Sequence, residues 1–213
     1  MAAEEMRRQS DIDLLVVTEG NYRKKRVVLD HVPVDITYGP LKNVERRLEG
    51  RLINCVTVFK EGHIIYDEDD CLKRLKRQAE DIYKAGPEAL TRKEIDLTRF
   101  RLSEVLKDIE ETRDPAVAVQ MMNIFFEDCL SFYFSFRRRW QPKRKKIFRK
   151  LAEDDPYLNS LCRKYLLTSK VGDKRKLIRR IAEHVLRPAG GILEKIDIEL
   201  VSPRHQDRHK CQL

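Results

Sequence analysis

Three carboxylates define the chemistry open to this chain. Asp11 and Asp13 stand one residue apart in Ser10-Asp11-Ile12-Asp13-Leu14-Leu15-Val16-Val17, and Asp35 follows in Val32-Pro33-Val34-Asp35-Ile36-Thr37-Tyr38. Strand side chains alternate faces, so Asp11 and Asp13 share one face, and Ile12 and Leu14 are expected to point into the core. A second strand beside the first brings Asp35 to the carboxylate face. Clustered carboxylates repel unless a cation sits among them. Hard oxygen donors suit Mg²⁺, which keeps waters and substrate phosphates in its shell. Two such ions can clamp the attacking and leaving oxygens of an in-line phosphoryl displacement.

A single D-x-D on a strand is common and is more often a surface feature than a site. Two features of context raise it here. Four apolar residues follow Asp13, as in a buried strand. Asp35 interrupts a second apolar stretch, where an unpaired charge is costly.

On these residues the chain resembles the nucleotidyltransferase superfamily of DNA polymerase β and kanamycin nucleotidyltransferase. It is most similar to small proteins that join such a core to a helical, HEPN-like or substrate-binding domain. The resemblance covers residues 10–38 most closely, with a weaker likeness over Phe136-Arg137-Arg138-Arg139-Trp140-Gln141-Pro142-Lys143. It implies that Asp11 and Asp13 hold Mg²⁺ and a nucleoside triphosphate, that two ions are used, and that Asp35 joins them and helps activate the acceptor hydroxyl. Ser10, Lys24 and Lys25 are the expected triphosphate-binding residues, with Arg26 in the same basic segment. The family pattern opens with a Gly-Ser turn about ten residues before the D-x-D, whose amides grip phosphates at a helix N-terminus. No Gly precedes Gly20, and Glu4 and Glu5 occupy that region. The expectation is an N-terminally truncated core or a degenerate phosphate grip.

The elements that must position these groups fall into two parts. Residues 12–18 read as a strand, Gly20 to Arg26 as a polar turn, and 27–38 as a second strand ended by Gly39-Pro40. Leu41 to Gly50 reads as a short helix. Ile53 to Phe59 and His63 to Tyr66, joined by Lys60-Glu61-Gly62, read as a hairpin. From Asp70 the apolar period becomes helical, with Leu72, Leu75, Ala79, Ile82 and Tyr83 on one face. Helices are expected over 92–112, 115–138, 142–153, 156–169 and 172–187. The fold class is α+β: a small mixed sheet in residues 1–88, an antiparallel helical bundle in 89–201, and a disordered tail in 202–213.

Composition narrows the function classes. The 213 residues are 41% hydrophobic and 37% charged, enough for a core, and no run approaches the length of a spanning helix. The N-terminus lacks the basic-then-apolar order of a signal peptide. Five cysteines, odd in number and never paired as C-x-x-C, point to a reducing cytoplasm and away from structural zinc. The net charge of +9 is concentrated in 137–150, which holds nine basic residues and no acid. Such a block can attract a triphosphate, a nucleic acid or an acidic partner, or be balanced by Glu153, Asp154 and Asp155. Trp140 within it reads as a packing anchor before a base-stacking residue.

Smaller candidates read as structural. Glu127 and Asp128 interrupt an apolar helix; the resemblance implies that a carboxylate of the helical part can act as general base on the acceptor, and pairing with a neighbouring Arg is the stronger expectation. Arg179 and His184 have the R-x4-H spacing of HEPN ribonucleases but lie only loosely on one face. His31 and His63 are expected at the surface. Two functions follow. One is Mg²⁺-dependent transfer of a nucleoside monophosphate from a triphosphate to the hydroxyl of a small molecule, protein or RNA, with a homodimer possible. The other is a degenerate core whose basic helical domain docks a protein or RNA partner.

Overall fold

The computed structural model describes residues 11–197. Ser10, the segment before it and the 202–213 tail therefore lie outside the described residues. The chain divides into two compact units between Pro87 and Glu88.

The first unit is built on a mixed three-stranded sheet. β1 (Ile12–Thr18), β2 (Arg23–Leu29) and β3 (Val32–Pro40) lie in the order β1-β3-β2, with β1 parallel and β2 antiparallel to β3. The long second strand expected over 27–38 is thus two strands, and the expected turn at 20–26 contributes the start of β2. Asp30 and His31, with φ of 47° and 66°, form the two-residue turn of a hairpin. Positive φ at both central positions matches the twist of the flanking strands, and Asp and His tolerate it better than most residues.

Three helices follow: α1 (Leu41–Glu49), α2 (Ile53–Glu61) and α3 (Cys71–Ala85). The expected hairpin at 53–66 is corrected here. Its first half is helical, and His63–Tyr66 carries no strand. The β-branched run made 53–59 look like a strand. Yet Cys55, Val56 and Phe59 fall on one helical face and are buried with Leu48 of α1 and Leu75 and Ala79 of α3. Packing outweighs strand propensity. α2 ends at Gly62, where the backbone turns extended and where a Cβ would lie 2.5 Å from the Val58 carbonyl oxygen, so the position requires glycine. Asp67 then starts α3, its carboxylate accepting from the amides of Leu72 (3.0 Å) and Lys73 (2.9 Å).

Leu15 and Val17 are the β1 residues that pack on this helical core, whereas Ile12 is 49% exposed. The expectation that Ile12 and Leu14 face the core is therefore reversed. By strand alternation Asp11 and Asp13 lie on the same face as Leu15 and Val17, the face the helices cover.

Among the described residues the second unit is helical: α4 (Arg92–Glu111), α5 (Pro115–Phe136), α6 (Ile147–Asp154), α7 (Pro156–Leu167) and α8 (Val171–Leu186). Local signals set these starts. Thr91 and Glu94 form a capping box, while Asp114 and Asp155 cap helices that open on Pro115 and Pro156. α5 packs against α4 and α8, and α7 against α6 and α8. Phe125, Tyr133, Tyr165 and Leu151 are among its fully buried side chains. Buried Arg99 ties α4 to the segment after α8. Its guanidinium donates to the carbonyls of Gly190 (2.6 Å) and Gly191 (2.9 Å) and to Asp96 (2.8 Å). Gly190 has φ of +110°, and a Cβ there would sit 3.0 Å from that guanidinium.

Candidate active site

The sheet register assembles the site. Asp13 stands opposite Asp35 in the parallel ladder, and Asp35 stands opposite Arg26 in the antiparallel one. Paired residues share a face, so Asp13, Asp35 and Arg26 form one row across three strands. Asp11 lies two residues before Asp13 on the same face. Arg26 bridges two of the carboxylates: Nη2 lies 3.2 Å from Asp11 Oδ2, and Nε lies 3.1 Å from Asp35 Oδ1. Asp13 makes no ion pair among the described residues. The side chains of Asp11 and Asp35 are 49% and 38% exposed, so these pairs are screened by water.

A cleft of about 300 Å³ opens beside this row, within the first unit. Asp13, Asp35 and Thr37 line it from the sheet, Tyr22 from the segment before β2, and Asn43, Arg47 and Asn54 from α1 and α2. Cys55 lies on its wall, where burial pushes the thiol pKa up and Arg47 only partly offsets this. The cleft therefore offers carboxylates, amides, a guanidinium and a half-exposed aromatic ring, while its thiol stays neutral.

Alternation separates the expected basic residues. Lys24 pairs with Thr37 and shares the carboxylate face, whereas Lys25 pairs with Ile36 and lies on the other. Arg26 is the basic residue in contact with the acids. The sequence showed it only as one of three in a polar turn; read as a strand, period-two spacing from Lys24 would have found it.

The hard oxygens of Asp11, Asp13 and Asp35 are the donor set a divalent cation takes, and a guanidinium already stands in for a cation between two of them. The residues fit such an ion in type and in face. As they stand, no three His, Cys, Asp or Glu side chains among the described residues converge to hold one.

The second unit holds the remaining candidates in structural roles. Arg179 forms a two-pronged pair with Glu110 of α4, both contacts 2.6 Å, whereas His184 Nε2 meets Asp155 Oδ2 at 2.7 Å. The R-x4-H pair thus points to two different partners. Glu127 is exposed and Asp128 half-buried, and neither makes the expected pair with an Arg among the described residues. Part of the basic block is tied inward: Arg137 lies over the Tyr133 ring at 3.9 Å, and both Arg139 and Lys150 hold Asp154. Lys143, Arg144 and Lys145 are exposed. Among the described residues no helix is long and apolar enough to cross a membrane.

No protein-family model and no curated protein matches the chain. Among solved structures it is similar to a nucleotidyltransferase-like protein from Exiguobacterium sibiricum 255-15, at a TM-score of 0.53 and 19% identity. The likeness covers 83% of this chain and 61% of that protein, so the chain spans well under the full length of its structural relative. The fold is nucleotidyltransferase-like, with the α+β arrangement of a small mixed sheet followed by helices.

Proposed function

We propose that the first unit binds a nucleoside triphosphate and transfers its nucleoside monophosphate to an acceptor hydroxyl, releasing pyrophosphate. The observation that supports this best is Asp13 facing Asp35 across the parallel ladder, with Asp11 on the same face, beside a cleft of nucleotide-compatible lining. Tyr22 can stack on a base, Asn43 and Asn54 can pair with its polar edge, and Arg47 can meet a phosphate. Asp35 accepts the acceptor's proton as the new oxygen–phosphorus bond forms and the bond to the pyrophosphate oxygen breaks. Asp11, Asp13 and Asp35 would hold Mg²⁺, which when bound supplies positive charge to the phosphoryl oxygens. Lys24 contributes a cation on the same face. The acceptor is a hydroxyl of a small molecule, a protein or an RNA.

A second reading is favoured by Arg26, which already neutralises two of the three acids. In it the core binds without turnover and the basic helical unit docks a protein or RNA partner. Calorimetric titration of ATP and then the other triphosphates, with and without Mg²⁺, tests the first reading. Binding that requires Mg²⁺ and is lost in an Asp11→Asn, Asp13→Asn double variant supports it. A folded protein that binds no triphosphate overturns it in favour of the second.

A further inference from the structure

We infer that Arg26 is a displaceable counter-ion: its guanidinium and a divalent cation exclude one another at the Asp11, Asp13 and Asp35 row. This inference rests on the reading of that row as a triphosphate and metal site, and it makes Arg26 a competitor of the ion there.

The geometry makes the exclusion direct. Arg26 contacts Asp11 through Nη2 and Asp35 through Nε, so one side chain engages carboxylates from two strands on the face where an ion needs them. An ion bound by those acids would put two positive charges at contact distance from a third, which is strongly unfavourable. The Arg26 side chain is 60% exposed, so a rotamer change into water can release it without opening the core. Asp13 makes no ion pair among the described residues, and it is the carboxylate an arriving cation can meet first. Once released, the guanidinium stays on the cleft face, within one side chain's swing of the same acids, where a phosphate can take it up. Arg26 thus keeps the acids from repelling one another before the ion arrives and sets the concentration at which it binds.

Mn²⁺ binding to the full chain, counted by the electron paramagnetic resonance of the free ion, tests this without any assay of turnover. Arg26→Ala is expected to bind Mn²⁺ about tenfold more tightly than the wild type, the scale of one contact charge removed in partly screened surroundings. Lys25→Ala removes the same charge from the opposite face and is expected to change affinity by no more than about twofold. Arg26→Lys, whose single ammonium holds two acids less well than a fork, falls between. Asp13→Asn identifies the site by abolishing the tight binding. Equal gains in Arg26→Ala and Lys25→Ala overturn the inference, because only net charge would then matter. Weaker binding by Arg26→Ala also overturns it, because Arg26 would then be organising the acids rather than competing for them. Both of these outcomes leave the metal site standing. Absence of Asp13-dependent Mn²⁺ binding in every variant overturns the site itself and the inference with it.

Discussion

The helical unit buries two of its charged side chains, Asp154 and Arg99, whereas the carboxylate row of the sheet unit lies where solvent can reach it. Asp154 is nine-tenths buried, held by Arg139 and Lys150, and Arg99 lies under backbone carbonyls. Asp11, Asp35 and Arg26 pair at 3.2 Å and 3.1 Å at the surface of a three-stranded sheet. Buried pairs are hard to break because the surviving charge is stranded; exposed pairs exchange for water at little cost. One unit is thus arranged for persistence, and the other keeps groups that can change partners. That contrast supports the proposal that the chemistry lies in the sheet unit, even though the more basic sequence lies in the helices.

Truncating the helical core tests the contrast where its effect is largest. Phe125 on α5 has no exposed surface, and Phe125→Ala is expected to cost about 3–5 kcal/mol in urea unfolding. A cost below about 1 kcal/mol would mean that the core collapses around the gap, and that this unit is less rigid than its burial indicates.

The same contrast explains what the sequence could reveal. The helices were legible because their signals are local: Thr91 with Glu94, Asp114 before Pro115, Asp155 before Pro156. The carboxylate row was half legible. Alternation placed Asp11 and Asp13 together, but the face they occupy depends on where α1 to α3 pack, and those helices cover the side of β1 that carries Leu15 and Val17. β2 was hidden because Arg23-Lys24-Lys25-Arg26 looks like a solvated turn. Charges suit an edge strand, and the β3 residues opposite Arg23 to Arg26 lie nine to fifteen residues further along the chain. α2 was misread for a related reason, since its helix is stabilised by Leu75 and Ala79, far along the chain.

Acid sharpens the comparison at a smaller scale. Burial alone would raise the Asp154 pKa, but hydrogen bonds from Arg139 and Lys150 outweigh it and hold the carboxyl below its ordinary value. A group depressed on folding contributes stability above its unfolded pKa and loses it as pH falls through the folded one. The urea midpoint of the wild type is therefore expected to fall below about pH 4 more steeply than that of Asp154→Asn, which lacks the titrating group. Parallel curves would place the acid sensitivity elsewhere.

The smallest stability change belongs to the residue with the largest proposed consequence. Asp13 is exposed and makes no ion pair among the described residues, so Asp13→Asn is expected to alter unfolding by no more than about 0.5 kcal/mol. Removing one of three neighbouring negative charges can even stabilise the ligand-free sheet, because the acids repel one another. The wild type in Mg²⁺ and triphosphate at a hundred times its dissociation constant gains about 2.7 kcal/mol by mass action. The variant is expected to gain none of it. Thermal unfolding with and without the ligand pair reads both quantities in one experiment. If Asp13→Asn destabilises the free protein by more than about 1 kcal/mol, Asp13 supports the sheet and the two units differ less than their burial suggests. If the free proteins match and only the wild type responds to ligand, the unpaired carboxylate in the row is held for a partner from outside the chain.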